Sequence, residues 1–135
     1  MIHSAEEFVK LREEDSPRAT LDTATKEVWL EVIQFHPAFK AWIVHNKTVP
    51  VSILRLLASD SDAAVRFAVA MKRKCPVDVL KRLAQDEDES VRGRVAWNAK
   101  TPPQVLEMLR HDTCKDVAKV VASRLGRNLS PDEDE

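Results

Sequence analysis

The chain of 135 residues has very few of the residues on which several kinds of fold depend. It contains two glycines, no tyrosine and 5 % aromatic residues, which disfavours folds with many tight β-turns and glycine-rich phosphate loops. It has no run of 18 apolar residues, so no membrane span is expected. Its net charge of −1 differs from that of a polycation built for nucleic acid. The remaining composition is rich in helix formers and predicts an all-α protein.

Export signals and cysteine frameworks are also missing from the sequence. The first ten residues include Glu6 and Glu7 and lack the apolar core of a signal peptide, so we expect a cytoplasmic protein. Cys75 and Cys114 are then expected to stay reduced. Neither their number nor their spacing predicts a disulfide scaffold or a metal site. We therefore expect no metal and no cofactor.

An internal repeat with a period of 26 residues organises most of the chain. Its clearest marker is proline, at Pro50, Pro76 and Pro102. Three repeats, 49–74, 75–100 and 101–126, follow from this register, and a degenerate copy precedes them at about 23–48. The same spacing links further columns of identical residues: Leu54, Leu80 and Leu106; Leu57, Leu83 and Leu109; Asp60, Asp86 and Asp112; Val65, Val91 and Val117; Ala70, Ala96 and Ala122.

Each repeat is expected to hold two short helices. Proline is favoured in the first turn of a helix, so Pro76 predicts where the first helix of its repeat begins. Asp62 and Asp88 stand where a second helix takes its N-cap. Helices of about ten residues are marginal alone, so these must be stabilised by stacking on neighbouring repeats.

The two ends of the chain carry their own signals. Ser4 and Glu7 form a capping box, which predicts an N-terminal helix over 4–14 that is broken at Pro17. Gly126 is expected to stop the last helix. The acidic residues 128–135 have nothing to bury and are expected to be a disordered tail. The single repeat domain is therefore predicted to span 1–127.

The repeat resembles a known family. Its unit reads Pro76, Leu80 and Leu83, then Asp86, Asp88, Val91-Arg92, Val95-Ala96 and Asn98. This pattern, over about residues 36–125, resembles the bacterial leucine-rich repeat variant, which is similar to HEAT repeats. The resemblance implies a right-handed α-solenoid of about four two-helix repeats, which binds other macromolecules. Some family members carry an iron–sulfur cluster on N-terminal cysteines, but no cysteine precedes Cys75 here.

The resemblance also implies a structural ladder of Asp–Arg pairs between successive repeats. Its members here are Asp60, Arg66, Asp86 and Arg92, with Arg92 expected to be the partner of Asp86. The third copy has Ala118 at the arginine position, so the ladder is expected to end there. Ligand binding by Arg66 or Arg92 is the alternative interpretation.

The second helices carry the candidate partner-binding residues. Directing Val65 and Val69 inward, at 100° per residue, leaves Phe67 and Met71 on the outer side. Aromatic and methionine side chains with a basic rim are typical of binding hot spots. The alternative is that Phe67 and Trp97 both pack as core between neighbouring helices, as Trp29 and Trp42 are expected to do. The full predicted site is His45, Phe67, Met71, Lys74, Arg94, Trp97 and Lys100.

Charge favours an acidic protein partner. Residues 65–100 contain nine Lys and Arg against five Asp and Glu, a local excess that attracts acidic surfaces.

Catalysis is not expected, because the four histidines are scattered and no nucleophile–base pair has local spacing. We therefore predict a non-catalytic protein-binding module or adaptor. The alternatives are a small immunity or antitoxin protein and a nucleic-acid-binding repeat protein. If the predicted face is buried, the site is expected at Lys81 and Arg82 on a first-helix edge.

Overall fold

The computed structural model describes residues 1–127, and this part of the chain is helical with no β-strand. The predicted all-α class is confirmed. A 3₁₀ turn at Pro37–Phe39 precedes the fourth of ten α-helices. The helices are α1 (Ala5–Glu13), α2 (Arg18–Leu21), α3 (Lys26–Phe35), α4 (Lys40–His45), α5 (Val51–Leu57), α6 (Ala63–Met71), α7 (Val77–Leu83), α8 (Glu89–Trp97), α9 (Pro103–Met108) and α10 (Lys115–Arg127).

The repeats correspond to the helix pairs α3/α4, α5/α6, α7/α8 and α9/α10. Pro50, Pro76 and Pro102 occupy the N-cap of α5, α7 and α9 with extended backbone, one position before the first helical residue. The second helices begin at the predicted caps, since Asp62 accepts from the Ala64 N–H and Asp88 from the Ser90 N–H. The turn residues of each repeat therefore set both helix starts.

The second helices pack side by side in chain order. Helix α6 contacts α4 on one side and α8 on the other, and α8 contacts α10. Each first helix packs against the second helix of its own pair. The inward residues Val65, Val69 and Val95 are buried, together with Leu54 and Leu80 of the first helices. Burial of these columns stabilises helices that are too short to persist alone.

The N-terminal segment closes one end of the core. Ser4 caps α1 by accepting from the Glu7 N–H, as the capping box predicts. Phe8 of α1 and Trp29 of α3 are fully buried and meet edge to face, with ring centroids 5.2 Å apart. Trp29 is thus a packing residue, as predicted. The short helix α2 after Pro17 is an element that the sequence did not indicate.

One predicted boundary is wrong. Helix α10 does not stop at Gly126 but continues through it to Arg127, and no glycine among the described residues has a positive φ. The last turn is held by Val121 and Leu125, which are buried, so packing outweighs the low helix propensity of glycine. The predicted disordered tail, residues 128–135, lies outside the described residues.

Candidate protein-binding face

A row of ion pairs ties together the N-terminal ends of the second helices. Arg66 binds Asp86 of the next repeat through two bonds, Nε to Oδ2 at 2.8 Å and Nη2 to Oδ1 at 3.1 Å. Its Nη1 donates to the Asp60 carbonyl at 2.8 Å. Such a paired geometry is specific for arginine and carboxylate. With a further bond from Nη1 to the Ser61 carbonyl at 3.1 Å, Arg66 uses four of its five N–H donors within the stack, which favours a structural role over ligand binding.

The observed pairs are shifted by one repeat from the expected ones, because each cation binds the aspartate of the next repeat. Arg92 donates to Asp86 only at the carbonyl oxygen, at 2.8 Å, and its carboxylate partner is Asp112, at 2.8 and 3.1 Å. At the other end, Lys40 donates to Asp60 at 2.8 Å. Lys40 lies 26 residues before Arg66 and occupies the same column. We call the three pairs Lys40–Asp60, Arg66–Asp86 and Arg92–Asp112 the carboxylate ladder.

The ladder aspartates are held in their ionised form. Burial alone would raise the pKa of Asp86, but hydrogen bonds from Arg66 and the Asp88 N–H lower it below its usual value. Asp60 and Asp112 have lowered pKa values for the same balance of causes. Each aspartate thus fixes its own turn through a backbone N–H and the neighbouring repeat through a cation.

A second row of hydrogen bonds joins the C-terminal ends of the same helices. Its donors share another 26-residue column. Their acceptors are backbone carbonyls of the preceding repeat or, for Asn46, those of Ala19 and Asp22 at the end of α2. The buried Asn98 donates to the carbonyls of Ala70 and Lys72 at 2.8 and 3.0 Å. The donors of this carbonyl ladder are Asn46, Lys72, Asn98 and Arg124. This ladder was not predicted, although its column of donors is visible in the 26-residue register of the sequence.

Between the two ladders, large apolar side chains point to solvent. Trp97 on α8 is 61 % exposed and Met71, its counterpart on α6, is 41 % exposed. His45, at the same repeat position on α4, is also exposed. Lys74 and Lys100 follow α6 and α8 and are exposed. Five of the seven predicted site residues therefore lie on the surface of adjacent second helices.

The other two predicted site residues are placed differently. Phe67 is only partly exposed and packs against the core, so the expected exposed aromatic pair reduces to Trp97 alone. Arg94 is half-buried, and its Nε is enclosed without a hydrogen-bond partner among the described residues.

Trp42 is not a core residue, contrary to expectation. It is 41 % exposed, and the Arg12 guanidinium of α1 lies 3.6 Å above its ring. The ring also lies 5.6 Å from that of His45. Although His45 is exposed overall, partial desolvation of its ring, together with the charges of Lys72 and Arg12, lowers the pKa of His45 and favours the neutral imidazole. Trp42 and His45 thus extend the aromatic surface onto α4.

Two open grooves flank the Trp97 indole between α8 and α10. One, of about 210 Å³, is lined by Gly93, Cys114 and Val117 among others. The second, of about 300 Å³, is lined by Val120, Ser123 and Arg124. Gly93 stands in the column of Phe67, and the lack of a side chain there leaves the first groove open. We define the binding face as Trp42, His45, Met71, Trp97 and the rim lysines Lys74 and Lys100.

Two features are absent from residues 1–127. No three His, Cys, Asp or Glu side chains in this stretch are grouped to hold a metal ion. No helix within it is long and apolar enough to cross a bilayer. Comparison of the chain with protein-family models, curated proteins and solved structures gives no match. The resemblance of the repeat to the leucine-rich repeat variant therefore rests on its own residues.

Proposed function

We propose that the chain is a non-catalytic protein-binding module or adaptor that uses the binding face of its second helices. In this proposal the four helix pairs form a short, right-handed α-solenoid of the leucine-rich repeat variant type. The single observation that carries the proposal is the 61 % exposure of Trp97 beside Met71. Trp97 is exposed although the other large aromatic of its region, Phe67, packs on the core.

Exposed tryptophan is the residue most enriched at the centre of binding hot spots. Its indole gains affinity when it is enclosed, and grooves on either side of Trp97 offer space for partner side chains. Helix α8 is held at one end by Arg92 and at the other by Asn98. A partner therefore meets a rigid surface, so little conformational entropy is lost on binding.

The rim favours a partner with an acidic surface. Lys74 and Lys100 are exposed at the end of the face, and neither forms an ion pair within residues 1–127. Rim charges of this kind steer encounter and orientation, whereas the central aromatic supplies affinity. An immunity or antitoxin protein would use the same face, with a toxin as the partner.

The proposal is tested by capture of partners with the wild-type chain and with Trp97→Ala. The substitution is expected to weaken binding of the captured protein by about 2 kcal/mol or more, as truncation of a hot spot does. Because the indole is exposed, the free energy of unfolding is expected to change by less than about 1 kcal/mol. Binding is measured by titration calorimetry, and stability by urea unfolding.

Leu56→Ala is the matched control, because Leu56 is a half-exposed apolar residue on the first helix α5. It is expected to leave partner affinity unchanged. Equal loss of binding in both variants would contradict the proposal, as would a loss of about 3–5 kcal/mol in stability for Trp97→Ala, which is typical of a buried side chain. Salt-sensitive binding of plain duplex DNA that survives Trp97→Ala would favour the nucleic-acid alternative instead.

A further inference from the structure

Lysines crowd the C-terminal ends of α4 and α6. Lys72 Nζ donates to the Asn46 carbonyl at 2.9 Å. Lys74 Nζ donates to the carbonyls of Lys47, at 3.2 Å, and of Val49. Lys100 follows α8 at the repeat position of Lys74. We call Lys47, Lys72, Lys74 and Lys100 the basic row.

The basic row has no acidic counterpart in residues 1–127. None of its four lysines forms an ion pair there, whereas the carboxylate ladder pairs every cation with an aspartate. Burial and the charges of Lys74 and Lys47 lower the pKa of Lys72 to about 8. The carbonyls at the helix ends offset part of the charge. The row therefore retains a positive potential suited to an anionic segment.

The chain supplies such a segment directly after α10. Residues 132–135 read Asp-Glu-Asp-Glu, one of two runs of four acidic residues in the sequence; in the other, 86–89, Asp86 is already bound by Arg66. The last turns of α10 lie beside the end of α8, because Arg124 Nη1 donates to the carbonyls of Ala96 and Asn98 at 2.6 and 2.8 Å. The chain thus leaves α10 at the same end of the second helices as the basic row.

The stretch of chain after α10 is long enough to bring Asp132–Glu135 to the basic row. Asp132 is five positions after Arg127 and Glu135 is eight positions after it, which correspond to about 16 and about 26 Å of extended chain. Packed helices lie about 8–10 Å apart. Lys100 follows the helix next to α10, and Lys74 follows the one beyond it, so both are within reach of Asp132–Glu135.

We propose that the acidic segment Asp132–Glu135 docks on the basic row of the same chain, at Lys100 and Lys74. Exposed ion pairs are individually weak, but the short tether supplies an effective concentration in the millimolar range. The docked segment covers both rim lysines of the binding face, so an acidic partner must displace it. This consequence rests on the proposed function, whereas the docking itself does not.

The test uses the full-length chain and no partner. Amide ¹H–¹⁵N spectra of the wild type are compared with those of a variant carrying Asp132→Asn, Glu133→Gln, Asp134→Asn and Glu135→Gln. Shift differences are expected at Lys74, Ala99 and Lys100, several-fold larger than at the first helices. Raising salt from about 50 mM to about 0.5 M is expected to remove more than half of them, because screening weakens surface ion pairs.

The control variant removes the same number of charges from helices away from the row, through Glu6→Gln, Glu13→Gln, Glu27→Gln and Glu31→Gln. It is expected to leave the amide signals of Lys74, Ala99 and Lys100 unshifted.

A second pair of variants changes the basic row itself. In Lys100→Glu, the tail substitutions are expected to cause no shift at Ala99, whereas in Lys81→Glu they are expected to cause the same shift as in the wild type. Unchanged amides in the tail variant would overturn the proposal. Differences that grow with protein concentration would also overturn it, by indicating docking on a second copy. A failed Trp97 test would affect none of these results.

Discussion

The carboxylate ladder and the carbonyl ladder hold the same four helices at opposite ends, with different chemistry. In the first, every donor is a cation and every acceptor a largely buried aspartate, as in Arg66–Asp86. In the second, the acceptors are backbone carbonyls, and the donors alternate between neutral and charged, as with Asn98 and Lys72. One end of the stack is compensated in charge and the other is not.

The difference follows from what each acceptor requires. A largely buried carboxylate needs a cation, because the loss of its hydration is otherwise uncompensated. A carbonyl at a helix end accepts from any donor, so amide, ammonium and guanidinium all serve in one column. The carbonyl ladder can therefore carry surplus positive charge without losing its hydrogen bonds, and it places that charge next to Trp97.

The largest expected effect is on the carboxylate ladder. Arg66→Ala leaves the largely buried Asp86 carboxylate without its cation and frees the Asp60 carbonyl. Breaking a buried pair from one side costs about 3 kcal/mol, so urea unfolding is expected to show a loss of that size. The control is Arg82→Ala, at an exposed position on α7, with an expected cost below about 0.5 kcal/mol. Equal losses in both variants would mean that the ladder does not stabilise the stack.

The sequence predicts those parts of the helix stack that repeat locally with the 26-residue period, and it predicts the contacts between repeats less well. The 26-residue period places the helix pairs and the N-caps Asp62 and Asp88, because these features are local and repeat in each copy. The ladder partners are less accessible, because Asp86 and Arg92 are six residues apart and look like a local pair. The observed partner, Arg66, is 20 residues away, one period minus six.

The binding face is harder to predict, because it depends on neighbours outside the repeat. Helical angle alone places Phe67 and Trp97 alike, but the neighbouring helices enclose one side chain and leave the other exposed. Trp42 was expected in the core because the degenerate repeat has little register, and its contact with Arg12 comes from a helix outside the repeats. The exposure of a side chain at the border of a repeat array is set by tertiary packing rather than by the periodicity of the sequence.

A smaller effect is expected on the carbonyl ladder. Asn98→Ala removes two hydrogen bonds to the carbonyls of Ala70 and Lys72, but leaves no charge unpaired. The expected loss in urea unfolding is about 1–2 kcal/mol, the cost of buried acceptors without partners. Gln85→Ala, an exposed amide without such contacts, is the control and is expected to cost below about 0.5 kcal/mol. A loss as large as that of Arg66→Ala would erase the distinction between the ladders.

The smallest expected effect is a pH dependence above pH 8, where the carbonyl ladder titrates at Lys72 and the ladder aspartates, with their lowered pKa values, stay ionised. The pKa of Lys72 is lowered from 10.5 to about 8 in the folded chain. Below pH 8 both folded and unfolded chains hold this proton, so the cost of burying the ammonium is present in full. Between pH 8 and 10.5 the folded chain loses the proton first, and stability contributed by this group rises with pH. Screening by water limits the rise from pH 8 to pH 9 to about 0.5 kcal/mol.

Lys72→Asn isolates this contribution, because asparagine is the residue found in the same column at Asn46 and Asn98. Cys75 acts in the opposite sense above pH 9, since burial raises the pKa of its thiol to about 12. The comparison is therefore made by urea unfolding at pH 8 and pH 9, as the difference between variant and wild type. Lys72→Asn is expected to lack the rise, and the exposed-site control Lys81→Asn to keep it. A rise that persists in Lys72→Asn would show that the buried ammonium imposes no cost, and the two ladders would then differ in their acceptors alone.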